Sequence, residues 1–225
     1  MGTGDQKEEG LNASVYAELR QRLMSGRMSP GYELSTRSIA AELGVSQTPV
    51  RDALSRLAAE GAVCIRSKRR VRVPAMTQER FDDLLSCRVV LEPEAAVFAL
   101  PYLTAKHVEA LREADAALDK AIADDDADAY MTANYKFHFV LYSAAPRPAL
   151  LQLIETVWIQ FGPFMRVVHG RVGNENLYDN HKAAIEAIIA KDPTALREAI
   201  TRDITDGMDL IRRTGLAAAM GGVAD

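Results

Sequence analysis

Two of the four histidines in this 225-residue chain sit where a divalent metal could use them. Asn134 and His138 are four residues apart, the spacing that puts two side chains on one helix face. His181 and Asp203 lie eleven residues on either side of Asp192. If Asp192 turns one helix into an antiparallel neighbour, equal distances from the turn mean equal heights, and the two side chains meet. Two imidazoles and a carboxylate at one level suit a divalent transition metal such as zinc, nickel, manganese or iron. Asn134 would add a neutral oxygen, and open positions could accept a ligand carboxylate. The plainer alternative is a histidine hydrogen-bonded in a core, with Asp203 a surface acid paired with Arg202 or Arg197. A second set of residues suits duplex DNA. Arg51 can donate a fork of two hydrogen bonds to guanine, Gln47 can pair with adenine, and Thr48 can bond a phosphate or touch a thymine methyl. Arg56 follows further along. Lys68, Arg69, Arg70 and Arg72 put four cations in five residues, for phosphates or the minor groove.

These residues need elements to position them. Val15, Leu19 and Leu23 recur at helical spacing from Asn12 to Ser25. Ser29-Pro30-Gly31 is a turn, and a short helix from Thr36 to Leu43 ends at Gly44, which suits a left-handed exit. Thr48 as cap and Pro49 at the first helical position open another helix, which buries Val50, Ala53, Leu54 and Leu57 and stops near Glu60-Gly61. Ala62–Arg66 and Arg70–Pro74 read as two strands around the basic turn. Helix, helix, Gly turn, helix, ribbon is the order of a winged helix-turn-helix, which lays its later helix in a major groove. From Thr77 on, only helical periodicity is present. Breaks at Pro101, Asp124–Asp126, Ala145–Pro148, Gly170–Gly173 and Asp192-Pro193 give six helices, at 77–100, 104–123, 127–144, 148–169, 174–190 and 193–214. Pro93 and Gly162-Pro163 should kink the first and fourth unless packing repairs the lost bond.

The charge divides the same way. Residues 11–75 carry eleven Lys+Arg against five Asp+Glu, a balance of +6, while residues 76–225 carry fifteen against twenty-three, a balance of −8. A basic unit joined to an acidic one suggests two jobs, the basic unit facing a polyanion. Cys64 and Cys87 form no CxxC pair, which disfavours a disulfide framework or thiolate zinc site and points to a reducing cytoplasm. The polar start MGTGDQKEEG has no apolar core for a secretion signal, and no apolar run is long enough for a membrane span. The expected division is a disordered arm over 1–10, a DNA-binding unit over 11–75, an all-helical unit over 76–214 and a disordered tail over 215–225.

Tyr16–Pro74 resembles the N-terminal domain of GntR-type bacterial transcription regulators. Met28-Ser29-Pro30-Gly31-Tyr32-Glu33-Leu34 is similar to that family's entry turn. Gly44-Val45-Ser46-Gln47-Thr48-Pro49-Val50-Arg51-Asp52-Ala53-Leu54 is close to its most recognisable string. The resemblance implies that Arg37, Gln47, Thr48 and Arg51 face DNA. Gln47 stands where many relatives carry Arg, and Arg70 where the wing tip usually carries Gly, so the wing would act through charge rather than close fit.

Residues 77–215 look like the all-helical effector-binding domain of the FadR-type (FCD) branch. Arg88-x-x-x-Glu92 before Ala95-Ala96, Phe137-His138 and His181…Ile185…Asp192 are similar to its motifs. In metal-binding members an Asp, a His four residues later and two further His form the site. His138 and His181 match; Asn134 replaces the Asp and Asp203 the last His, so donor types survive at changed positions. Arg88 could pair with Glu92 on the helix surface or grip a carboxylate through two parallel bonds; the resemblance implies the grip, with Arg166 a second candidate. The expected fold is mainly α: a winged helix-turn-helix with a two-stranded wing, then a six-helix bundle of FCD type. The expected function is a cytoplasmic regulator, most simply a repressor. It would act as a homodimer on a short palindrome in double-stranded DNA and respond to a small organic acid through a bound divalent transition metal. It would have no membrane partner. The rivals are a constitutive or architectural DNA-binding dimer without effector, and a non-haem metal enzyme.

Overall fold

The computed structural model describes residues 3–67, 70–172 and 180–214, with side chains described at 10–67, 70–165, 180–206 and 208. The chain opens with helix α1 (Thr3–Met24), followed by strand β1 (Glu33–Ser35), helices α2 (Thr36–Leu43) and α3 (Gln47–Ala59), and strands β2 (Cys64–Ser67) and β3 (Arg70–Arg72). Six helices follow: α4 (Gln78–Ala99), α5 (Ala105–Ala123), α6 (Ala127–Tyr142), α7 (Pro148–Val172), α8 (His181–Ala190) and α9 (Pro193–Thr214).

Local chemistry sets most of these boundaries. Ser35 caps α2 by accepting from the Ser38 N–H, and Gly44 leaves it with φ +66. Asp126 caps α6 through the Asp128 and Ala129 amides. Asp192 does the same for α9 through those of Thr194 and Ala195, at 2.9 and 3.0 Å. Lys191, left-handed at φ 55, ends α8, so Lys191-Asp192 is the corner that folds α9 back on α8.

Several expectations are corrected. α1 begins at Thr3 rather than near Asn12, so most of the segment read as a disordered arm is helical. α3 begins at Gln47 with Ser46 in the cap position, not Thr48. Pro49 still lies in the first turn, where an amide would have no partner anyway. The two-stranded wing forms as β2 and β3, and β1 adds a third strand on the other side of β3, pairing antiparallel with it. Only Leu34 of β1 points inward, too short a pattern to read from periodicity. Neither proline ends its helix: α4 continues past Pro93 and α7 past Pro163. The helix start expected at 174 and the tail over 215–225 lie outside the described residues.

Two main cores form. One joins Val15, Leu19 and Leu23 of α1 to Ile39, Val50, Leu54, Leu57, Val71 and Val73, and includes Ile159 from α7. The other fills the helical bundle around Phe81, Phe137, Phe161, Phe164, Ile185 and Ile200. Among the described residues, no helix is long and apolar enough to cross a membrane.

Candidate functional site

The recognition helix α3 turns Val50, Ala53, Leu54 and Leu57 inward and leaves Gln47, Thr48 and Arg51 exposed. The Arg51 guanidinium donates to Gln47 Oε1 at 3.2 Å, so the two act as one hydrogen-bonding unit. Arg37, from α2, joins them with Ser35 and Thr36 around a recess of about 520 Å³. Arg70 is exposed on β3, 3.9 Å from Glu33. Lys68 and Arg69 lie outside the described residues.

Arg56 is placed differently. Its guanidinium stacks 3.8 Å from the centre of the Tyr16 ring and pairs with Glu60 at 3.4 Å. The Tyr16 hydroxyl donates to the same Glu60 carboxylate at 2.6 Å. Burial, then the Glu60 carboxylate, pushes the Tyr16 phenol up to about 12. Arg56 therefore fastens α3 to α1. Arg56→Ala is expected to cost about 0.5–1 kcal/mol of stability and to leave base preference unchanged; a thermal melt and a duplex selection check the two halves.

In the bundle, α6, α8 and α9 bring three predicted ligands together. His138 Nε2 lies 3.2 Å from Asp203 Oδ2, and His181 Nε2 lies 3.6 Å from Asp203 Oδ1. One donor atom from each of the three fits within a mutual distance of 4.8 Å. Both histidines are 1% exposed. Arg202 and Arg197, the surface partners considered for Asp203, pair instead with Glu198 and Glu94. Asn134 is buried one turn before His138 and is a fourth candidate by placement.

The other ring nitrogens show which atoms are available. Arg88 donates to Glu92 at 2.6 Å, so Glu92 is an acceptor here. The Tyr142 hydroxyl donates to Glu92 at 2.9 Å and lies 2.9 Å from His138 Nδ1. Its single proton being committed, the phenol oxygen accepts from His138 Nδ1–H, which leaves the Nε2 lone pair facing Asp203. Asp115 on α5 stands 3.5 Å from His181 Nδ1, close to that ring without a formed hydrogen bond. Nitrogen lone pairs facing a carboxylate need a positive charge between them, a proton or a metal ion. The donor set and its outer partners fit a divalent metal. Burial alone would raise the Asp203 carboxyl; His181, His138 and the Asn180 amide outweigh it and hold it well below the usual carboxylate range.

Arg88 is not on the surface. It is 5% exposed, its guanidinium lies 4.9 Å from the Trp158 ring and 5.0 Å from Phe161, and Glu92 already occupies its fork. The side chain of Arg166 lies outside the described residues. Asp115, Glu92, Tyr142 and Trp158 were not singled out as site residues. Tyr142 and Glu92 had a signal, each four residues beyond a site residue; Asp115 is joined to His181 only by the packing of α5 on α8.

A winged helix-turn-helix carrying a buried histidine centre in a helical bundle defines a DNA-binding regulator. The chain belongs to the gntR family of bacterial regulatory proteins, which its residues 11–73 match, in the branch whose FCD domain matches residues 83–206. It is 29% identical over 202 residues to the HTH-type transcriptional regulator McbR of Escherichia coli, covering 88% of this chain and 91% of that one. It is 28% identical over 220 residues to the gluconate operon transcriptional repressor of Bacillus subtilis, covering 92% and 87%. The solved structure of E. coli McbR/YncC superposes with a TM-score of 0.85 at 26% identity, covering 91% of this chain and 98% of that one. These relatives are transcription regulators, not enzymes, and so is this chain.

Proposed function

We propose that the protein is a cytoplasmic, metabolite-responsive repressor that binds a short palindromic operator as a homodimer. It would sense a small organic acid through a divalent transition metal held by His138, His181 and Asp203, with Asn134 beside them. The observation that carries this reading is the convergence of the two Nε2 atoms on Asp203, with Tyr142 behind one ring and Asp115 near the other, in a protein that also carries an exposed helix suited to DNA. A bound metal would supply open coordination positions for a carboxylate. Arg88 is the adjacent cation, and an entering acid would compete with Glu92 for it. Arg166, on the same helix as Trp158, stays the second candidate. Only an acid with different affinity for two placements of the DNA units changes operator binding. Relatives named for gluconate and D-xylose operons make sugar-derived acids the first ligands to test. The test is elemental analysis of the purified protein with a thermal-shift panel of such acids. One metal per chain and stabilisation by an acid are expected; neither metal nor stabilisation would leave a constitutive DNA binder.

The dimer reading has its own support. Val90 on α4 and Leu153 on the adjoining α7 are 65% and 56% exposed, apolar side chains that a second copy would cover. Val90→Asp combined with Leu153→Asp is expected to convert dimer to monomer in sedimentation equilibrium; an unchanged mass would place the interface elsewhere.

A further inference from the structure

We propose that the Ile159–Pro163 stretch of α7 is a working part of the DNA reader. It positions the end of the recognition helix and carries the state of the histidine centre to it. The second half of this inference rests on the reading of the centre given above.

The two cores share this turn of helix. Ile159 is fully buried, and it packs in the core of the N-terminal unit, not that of the bundle. Gln160 reaches the same unit. Arg80 donates to the Gly61 carbonyl at 3.0 Å and to Gln160 Oε1 at 2.7 Å. Gly61, at φ +72, is the residue on which the chain leaves α3, and a Cβ there would stand 3.1 Å from Gln160 Oε1. The exit of the recognition helix is thus gripped by one side chain of α4 and one of α7. Gly162 completes the seam: a Cβ at this position would lie 2.7 Å from the Leu23 carbonyl and 2.8 Å from Met24 Cα, so α1 rests directly on α7 backbone. One turn earlier, Glu155 pairs with Arg20 of α1 at 2.9 Å.

The neighbouring side chains face the other way. Trp158, the only tryptophan in the chain, lies 5.3 Å from the His138 ring and against Arg88. Phe161 also lies against Arg88. Pro163 gives no N–H to the Ile159 carbonyl, so one helical hydrogen bond is missing at this turn. Close-packed side chains on one turn cannot shift independently. An event that moves Trp158 must therefore move Ile159 and Gln160, and with them the exit of α3. Ile159, Gln160, Gly162 and Arg80 are positioning residues for DNA binding.

The test uses the full chain and two readings: Trp158 emission, and affinity for a duplex obtained by selection, with and without Zn²⁺ as probe. Duplex binding alone is expected to change Trp158 emission, and Zn²⁺ to change duplex affinity by at least about fivefold, the low end of ordinary coupling. Arg80→Ala and Gln160→Ala are expected to bring that ratio to near one while still binding Zn²⁺ and melting like wild type. Gln160→Glu keeps an acceptor for Arg80 and is expected to restore the ratio. Gly162→Ala should also break the coupling; if it does not fold, the Arg80 and Gln160 variants decide. Emission indifferent to duplex in the wild type, or a wild-type ratio in both alanine variants, overturns the inference. Failure to bind Zn²⁺ counts against the metal reading of the centre, and the emission change on duplex binding then decides the role of α7 by itself.

Discussion

Arg51→Ala is expected to weaken binding to the selected duplex by about 5- to 150-fold, the loss of one bidentate base contact worth roughly 1–3 kcal/mol. Arg51 is exposed on α3, its partner Gln47 is one turn away, and Arg37 stands across the same recess. Its loss removes a contact with one base, so preference at that base should relax while the remaining positions keep theirs. Arg70→Ala, removing a wing cation, should instead weaken all duplexes alike and lower the salt dependence by about one phosphate contact. Fluorescence anisotropy at several salt concentrations separates the two. An Arg51 variant with wild-type affinity would remove α3 from the groove.

The second large effect concerns the histidine centre. His138→Ala and His181→Ala should each weaken metal binding sharply while leaving the dimer intact. A structural metal shared among four ligands contributes on the order of 10–16 kcal/mol, so one ligand accounts for about 3 kcal/mol, a loss of about 100-fold or more in affinity. Asp115→Asn, which leaves all proposed ligands in place but alters the partner of His181, should cost less, about 10- to 100-fold. Competition with a chelator measures both; wild-type metal affinity in either histidine variant contradicts the ligand set. Asp203 adds a sign that can be checked. Its folded carboxyl is held below the ordinary value of 3.8, so the folded state binds fewer protons there. The stability this contributes is complete above that value and is lost as the pH falls through the folded one. Asp203→Asn should remove that part of the acid dependence.

The sequence carried these sites unequally. Gly44, Pro49 and the apolar spacing of Val50, Leu54 and Leu57 announce the DNA-reading helix because each acts on its own neighbours in the chain. The symmetry of His181 and Asp203 about Asp192 was readable for the same reason: a capped, left-handed corner fixes where two helices fold back. Arg56 has a second role beside the expected DNA contact, and its signal is local. Five residues beyond Arg51 is roughly 140° around a helix, and Glu60 one turn further on is its partner. The spacing of Arg88 and Glu92 shows that the two can pair, but not that the pair closes inside the bundle. Asp115 and Ile159 had no local signal at all, because their roles come from α5 packing on α8 and α7 packing on α1. Strand β1 was invisible because three residues set no period.

The claim on which the rest depends is that the exposed face of α3 reads a specific duplex. It is tested most directly by titrating the wild-type protein against duplex fragments tiled across the chromosomal neighbourhood of its own gene, at physiological salt. The account expects one fragment containing an inverted repeat to bind at least about 1,000-fold more tightly than unrelated sequence, and Arg51→Ala to erase most of that margin. Equal affinity for every fragment, or a margin untouched by Arg51→Ala, would contradict it.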